Sequence, residues 1–440
     1  MPITLALSGA KMARDLGVTR DFLQSNVASS SKIQQVDSDR FLGRNMSAGT
    51  GNSQQVQPWY DVQVPDWTTG AHITNWSTLQ YYLSSVAATN NKSNTDITLR
   101  YFGPQITPSL GNGSLYAGVL APNGKIYYPG TNSNIFCVLD PNTETFSTYA
   151  GFSGVVGESY GGVLAPNGKI YCTPGNSSLL KVIDPSNNTV TVINSTFPKG
   201  PDNTNVYYIG YQGGVLAPNG KIYFIPNWIN SNTSTRNTIM RVVDPTNNTV
   251  SSINGVYGGH ISGCVAPNGK IYCAPTNYSV ISIIDPSTST VSSIFAPGTS
   301  GTGFALAPNG KLYSISSVTG NSFLVVNPAT DTCTTYPAVV GYIGQVLGPD
   351  GRIYGVNYNA PTGTFVGIID PDTDTFTTLS NLGISMVGAS YTTGLLHPNG
   401  KIYFGPHVSA SASLPFLSLN FNTNNNFNQN VCLSPFYNKA

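Results

Sequence analysis

Charge is what this sequence has least of. Asp, Glu, Lys and Arg make up 9% of it and cancel to a net +1, against about 25% charged residues in ordinary soluble domains. So weak a field attracts neither a nucleic-acid backbone nor an anionic membrane surface, and neither partner is expected. Long apolar runs are missing as well. No stretch approaches the ~20 residues needed to cross a bilayer, and "ITLALSGA" near the N-terminus lacks the basic segment and apolar length of a secretory leader. With Met1 in place the chain is read as having no cleaved leader and no membrane insertion. The six cysteines, Cys137, Cys172, Cys264, Cys273, Cys333 and Cys432, show no C-x-x-C spacing and no His-rich companion segment. That argues against a zinc site, and no cofactor is expected. There is no P-loop and no G-x-S-x-G elbow. Acidic residues fall in turns rather than as two carboxylates in contrasting surroundings, so glycosidase chemistry has no foothold.

What the sequence does have is repetition. The stretch "GGVLAPNGKIYC" (161–172) has close copies along the chain: "APNGKIY" begins at Ala121, Ala165, Ala217 and Ala266, "APNGKLY" at Ala307, "GPDGRIY" at Gly348 and "HPNGKIY" at His397. From Pro122 to Pro398 the six intervals span 276 residues, a mean period of 46. Two apolar runs around Pro-Asn-Gly read as a β-hairpin. Pro has no N–H to close a two-residue loop, so it fits the second position of a type I turn whose Gly forms a bulge. In that register Cys264 faces Tyr272 and Cys273 points to the other side of the sheet. Two small buried hydrophobes are therefore expected there rather than a disulfide. A second motif follows each hairpin, as in "VIDPSNNTV" and "IIDPDTDTF", and reads as a second hairpin turn. The seventh repeat departs, offering "SLNFNTNNNF".

Each period thus holds four short antiparallel strands. A blade whose first strand is apolar on both faces must be covered by neighbours, so seven of them are expected to close a ring. The expected fold is all-β: a seven-bladed β-propeller over 111–440, with residues 1–110 as an N-terminal anchoring arm and linker containing short helices. The helical candidates are 8–26 and a segment capped by Asn75 or Ser77. The fourth strand of the last blade could come from the C-terminal "NNNFNQNVCLSPFYNKA" or from "DITLRYFGP" (96–104). The "LAPNGKIY … IDPxTNTV" pattern, over roughly 110–435, resembles repeats of the kelch, YVTN-type and streptogramin-lyase-like propellers. The last of these resemblances implies a lyase with a histidine base and a metal. No His-Glu pair can be matched to that requirement among His72, His260, His397 and His407, so no catalytic residue is assigned and no enzyme is expected.

Alternating strands put both hairpin turns of every blade on one rim. The cations Lys125, Lys169, Lys221, Lys270, Lys311, Arg352 and Lys401 recur there beside Asp140, Asp184, Asp244, Asp285 and Asp370. Their charges balance, and exposed pairs of this kind contribute little. The opposite rim collects loops of variable length and content. Tyr207, Tyr208, Tyr211, Trp228, Tyr257, Tyr278, Tyr342 and Tyr358 fall on it and are the candidate binding residues, since aromatic side chains on variable loops suit recognition; Tyr160 belongs to the same rim. A short-helix arm joined by a polar linker to a ring resembles a bacteriophage virion appendage. That layout implies a structural protein of a head fibre, knob or tail, held to other virion proteins by its arm, oligomeric in the assembly, with a host-surface glycan or protein as the ligand. The rivals are a metal-dependent propeller lyase or hydrolase and a secreted carbohydrate-binding propeller.

Overall fold

The computed structural model describes residues 97–106 and 115–421, apart from 131–133, 154–157, 176, 194–196, 198–209, 228–236, 277, 298–302, 316–321, 340, 358–363, 381–389, 398 and 408–413. It also describes two dipeptide strands, Ala6–Leu7 and Phe41–Leu42, which pair with each other. The expected helices at 8–26 and after Asn75 lie outside these residues. Among the described residues every element is a strand, and the strands form seven four-stranded antiparallel sheets.

Blade 1 shows the plan: Val119–Leu120, Ile126–Tyr128, Ile135–Asp140 and Thr145–Ala150, in that order from the inner to the outer edge. Its first turn closes with the Gly124 N–H donating to Ala121 O and the Ala121 N–H donating to Lys125 O, with Gly124 at φ +77°. This is the type I turn with a glycine bulge that Pro122 demands. In blade 4 the same register sets Cys264 against Tyr272 and Cys273 against Gly263, and the two buried cysteines form no disulfide with each other.

The apolar core lies between blades rather than within them. Phe136 and Val138 of blade 1 pack with Ile170 and Ile183 of blade 2, and Tyr313 and Phe323 of blade 5 pack with Ile353 and Ile369 of blade 6. Fully burying side chains of this size stabilises by about 1.5–3 kcal/mol each, so no blade could hold its shape alone. Ring closure uses the N-terminal candidate. Ile97–Ile106 pairs antiparallel with Leu414–Phe421 as the outer strand of blade 7, so the ring takes these residues from the stretch assigned to the arm. Phe102 and Phe416 then join Leu120, Ile126 and Tyr128 of blade 1 across the closing seam.

Candidate functional site

Four of the seven repeat tyrosines, Tyr127, Tyr171, Tyr272 and Tyr313, tie their blade to the next through the hydroxyl. The Tyr127 hydroxyl donates to Asn188 Oδ1 (2.8 Å) in the second turn of blade 2, while Asn123 Nδ2 donates to the Tyr127 oxygen (2.9 Å) and to Pro185 O (3.0 Å). Tyr171 repeats this with Asn248 at 2.6 Å, Tyr313 with Asp374 at 2.6 Å, and Tyr272 with Asp331. The receiving residues sit in the left-handed backbone region, Asn188 at φ 57°, Asn248 at 60°, Asp331 at 50° and Asp374 at 51°, where Asn and Asp are tolerated better than most side chains. Blade 6 departs because blade 7 has no second turn, its outer strand arriving from elsewhere in the chain. There Asp350 replaces the turn asparagine and accepts from the Tyr354 hydroxyl (2.7 Å) and Arg352 Nε (2.6 Å), all three side chains being buried.

The turn rim is electrically spent. Lys125, Lys169 and Lys221 pair within their own blades with Asp140, Asp184 and Asp244 at 3.4, 3.1 and 3.5 Å. Lys270, Lys311 and Lys401 pair with Asp331, Asp374 and Glu144 of the following blade at 3.8, 3.3 and 3.9 Å. Glu144 also takes Arg100 of the closing strand in a two-bonded fork, 2.8 Å each. Asp184 is held below the usual carboxylate range chiefly by the Ser186 hydroxyl. Among the described residues the recurring cations of the turn rim are thus all paired.

The opposite rim, crossed by the loops between second and third strands and by the links between blades, is fixed from below by buried polar groups. Glu158, in the link to blade 2, accepts the Ser153 N–H (2.8 Å) and meets Lys181 Nζ at 2.5 Å; that ammonium also donates to Gly151 O (3.1 Å) and lies 4.6 Å from the Phe152 ring centre. A buried pair tolerates its desolvation only with every proton placed, and here the contacts anchor the link. His260, in the link to blade 4, is buried with Nδ1 2.8 Å from Ala274 O and Nε2 3.0 Å from Ser282 Oγ, whose oxygen accepts the Tyr257 N–H (3.1 Å). Burial pulls its pKa down to about 4, so it is neutral at pH 7. With both ring nitrogens occupied, His260 positions Tyr257 and has no free nitrogen to act as a base. His397 belongs to the turn rim, with Nε2 3.0 Å from Gly124 O.

The eight candidate aromatics divide. Tyr257 is exposed and Tyr278 half-buried, as a recognition role requires. Tyr211 and Tyr342 are corrections. Each opens an innermost strand and is fully buried, Tyr211 against Phe197 with its hydroxyl donating to Ile239 O (2.9 Å), Tyr342 against Phe376. Both stand six residues before the first turn residue, as Tyr391 does in blade 7, and a tyrosine recurring at one repeat position is a core residue. Tyr160 is buried edge-on to Tyr116. Tyr207, Tyr208, Trp228 and Tyr358 lie outside the described residues. Sequence reading missed Phe295, the most exposed large hydrophobe described at 72%, together with Leu179 and Val339. Aligning the outer strands reveals it, since Ala150, Asn254, Pro337 and Ser380 occupy its position elsewhere. Among the described residues no three His, Cys, Asp or Glu side chains gather as for a metal.

No family model and no curated protein matches the sequence. Solved structures share the frame. A streptogramin B lyase is similar at a TM-score of 0.58 and 14% identity, over 76% of this chain and 100% of its own. A catalytically inactive histidine-to-alanine variant of virginiamycin B lyase from Staphylococcus aureus with quinupristin is similar at 0.57 and 12%, over 74% and 99%. The extracellular domain of a hybrid two-component system from B. thetaiotaomicron follows at 0.51 and 13%, over 74% of this chain and 42% of that one. At these identities the similarity establishes the propeller fold alone. It also corrects the expectation of no enzyme. Two of these frames are enzymes from end to end, so a missing His-Glu pair is no ground for excluding catalysis.

Proposed function

We propose that this chain is a display protein of a virus particle, held to other virion proteins by the residues before the ring and presenting the crossing face to a host surface. One observation carries this reading: both chain ends join the ring at the same pole. The third strand of a blade runs from the crossing face to the turn face, so Leu414–Phe421 ends at the turn face, and its partner Ile97 lies beside Phe421. The chain therefore enters the ring at Ile97 and leaves it at Phe421, at the pole opposite the crossing face. An anchor at that pole leaves the crossing face outermost. The reading is tested by mass spectrometry of purified particles from the native source, where the chain is expected at fixed stoichiometry. Its recovery only outside the particles would overturn it.

A second reading, lyase chemistry on this frame, is favoured by the end-to-end coverage of the streptogramin B lyase. Incubation with quinupristin, followed by chromatography and fragmentation of the product, checks it: an elimination that opens a ring leaves the mass unchanged, so a new isomeric peak with a different fragmentation pattern supports the reading, and recovery of unaltered quinupristin alone removes it.

A further inference from the structure

Every blade ends in an edge strand whose outward backbone groups offer a template for another strand, and natural edges are guarded by charge, proline or a bulge. Blade 7 carries Arg100 and a register shift after Phe102, blade 6 a shift between Thr364 and Val366, and blade 5 has Pro337. Blade 3 lays Arg241 on the Ser252 hydroxyl, Nη1 to Oγ 2.5 Å. The edge of blade 4 repeats the "TVSSI" of blade 3, but a buried Ser282 stands where blade 3 has Arg241, and Phe295 where it has Asn254. Thr290–Phe295 thus holds no charge, no proline and no shift in register, and it ends in the most exposed large hydrophobe described. Blades 1 and 2 lack these guards too, but their edges end in Ala150 and Ile193 rather than an exposed ring.

The Ala296 N–H donates inward to Ser279 O (3.0 Å), and backbone direction alternates along an antiparallel strand. Val291, Ser293 and Phe295 therefore turn their N–H and C=O groups away from the ring, where the described residues supply no further strand. Blade 5 agrees: Pro337 pairs with Ser322 as Phe295 pairs with Val280, and a residue without an N–H suits a strand only where that group would face outward. We infer that this edge pairs with the same edge of a second copy, joining two rings about a two-fold axis through blade 4. Antiparallel pairing centred on Ser293 sets that residue opposite its own copy and Val291 opposite Phe295 twice, so every outward N–H meets a C=O. An aromatic side chain opposite a β-branched one favours the pair, and a neutral edge brings no like charges together when it meets itself. The edge is its own complement, which selects a second copy over a foreign strand.

The full chain is followed by sedimentation velocity between about 1 and about 100 µM, at low and at high salt. Its mass is expected to move from one chain to two as concentration rises, and high salt is not expected to reverse this because no ion pair is screened. Over the same range hydrogen exchange is expected to slow at 290–295 and to stay as it was at 249–254 of blade 3. Phe295→Pro removes the ring and an outward N–H at a position where blade 5 already carries proline. It is expected to weaken association about 10-fold or more with an unchanged thermal transition. Ser293→Lys, which sets two ammonium groups opposite each other, is expected to do the same. Asn254→Pro, the equivalent change on blade 3, should leave the mass as it was. A single-chain mass throughout, or a dimer that both Phe295→Pro and Ser293→Lys leave intact, overturns the inference. So does exchange at 290–295 already slower than at 249–254 in the single chain, which would give the edge to another segment of the same chain. Purified chains decide this without particles, so the display reading stands or falls separately.

Discussion

Tyr127, Tyr171, Tyr272 and Tyr313 are buried between blades and reach the next blade's turn with their hydroxyls. Tyr313→Phe keeps the packing and removes the bond to Asp374, a loss of about 1–2 kcal/mol in urea unfolding. Lys169→Ala, breaking a half-exposed pair, is expected to move the same transition by less than about 0.5 kcal/mol. His260 gives a pH signature. Its pKa is about 4 in the folded ring against an ordinary 6.5, so between those values the unfolded chain binds a proton that the folded one refuses. Stability is complete above 6.5, falls as pH drops through that window by about 3 kcal/mol from this residue, and stops falling from this cause below about 4. His260→Gln should flatten that part of the curve of denaturation midpoint against pH. The "KIY" motif was plain in the sequence, but its partner was not, because Asn188 lies in the neighbouring repeat and only the ring brings the two together.

At the scale of elements, the hairpins were legible and the closure was not. Pro122 lacks an N–H and Gly124 accepts positive φ, two local facts that fix the turn and, with it, the separation of Cys264 from Cys273. The closing strand had two local candidates of similar strand-forming character. The choice went to Ile97–Ile106 because Leu99, Phe102 and Ile97 complete the seams on either side of blade 7. A chain starting at residue 94 is expected to unfold in one cooperative transition like the whole protein, whereas one starting at residue 108 exposes Leu417 and Leu419 and should aggregate, as read by size-exclusion chromatography. The odd turn "GPDGRIY" marks the same event from the other side. Asp350→Ala strands the buried Arg352 and is expected to cost about 3–5 kcal/mol in chemical denaturation.

For the whole molecule, the sequence by itself determined the number of blades, the turn chemistry and the balance of charge, since each follows from local pattern and counting. It also held the clue to Phe295, visible once outer strands are aligned. Tertiary structure alone decided which tyrosines face solvent. A tyrosine just ahead of an innermost strand reads like a loop residue until the neighbouring blade covers it, as happened to Tyr211 and Tyr342. Structure alone also decided that the chain enters the ring at Ile97 and leaves it at Phe421 by one pole, because the strand that closes a ring is chosen by long-range pairing. Local sequence sets each hairpin through backbone sterics; the burial of apolar faces between blades, distant along the chain, sets everything else.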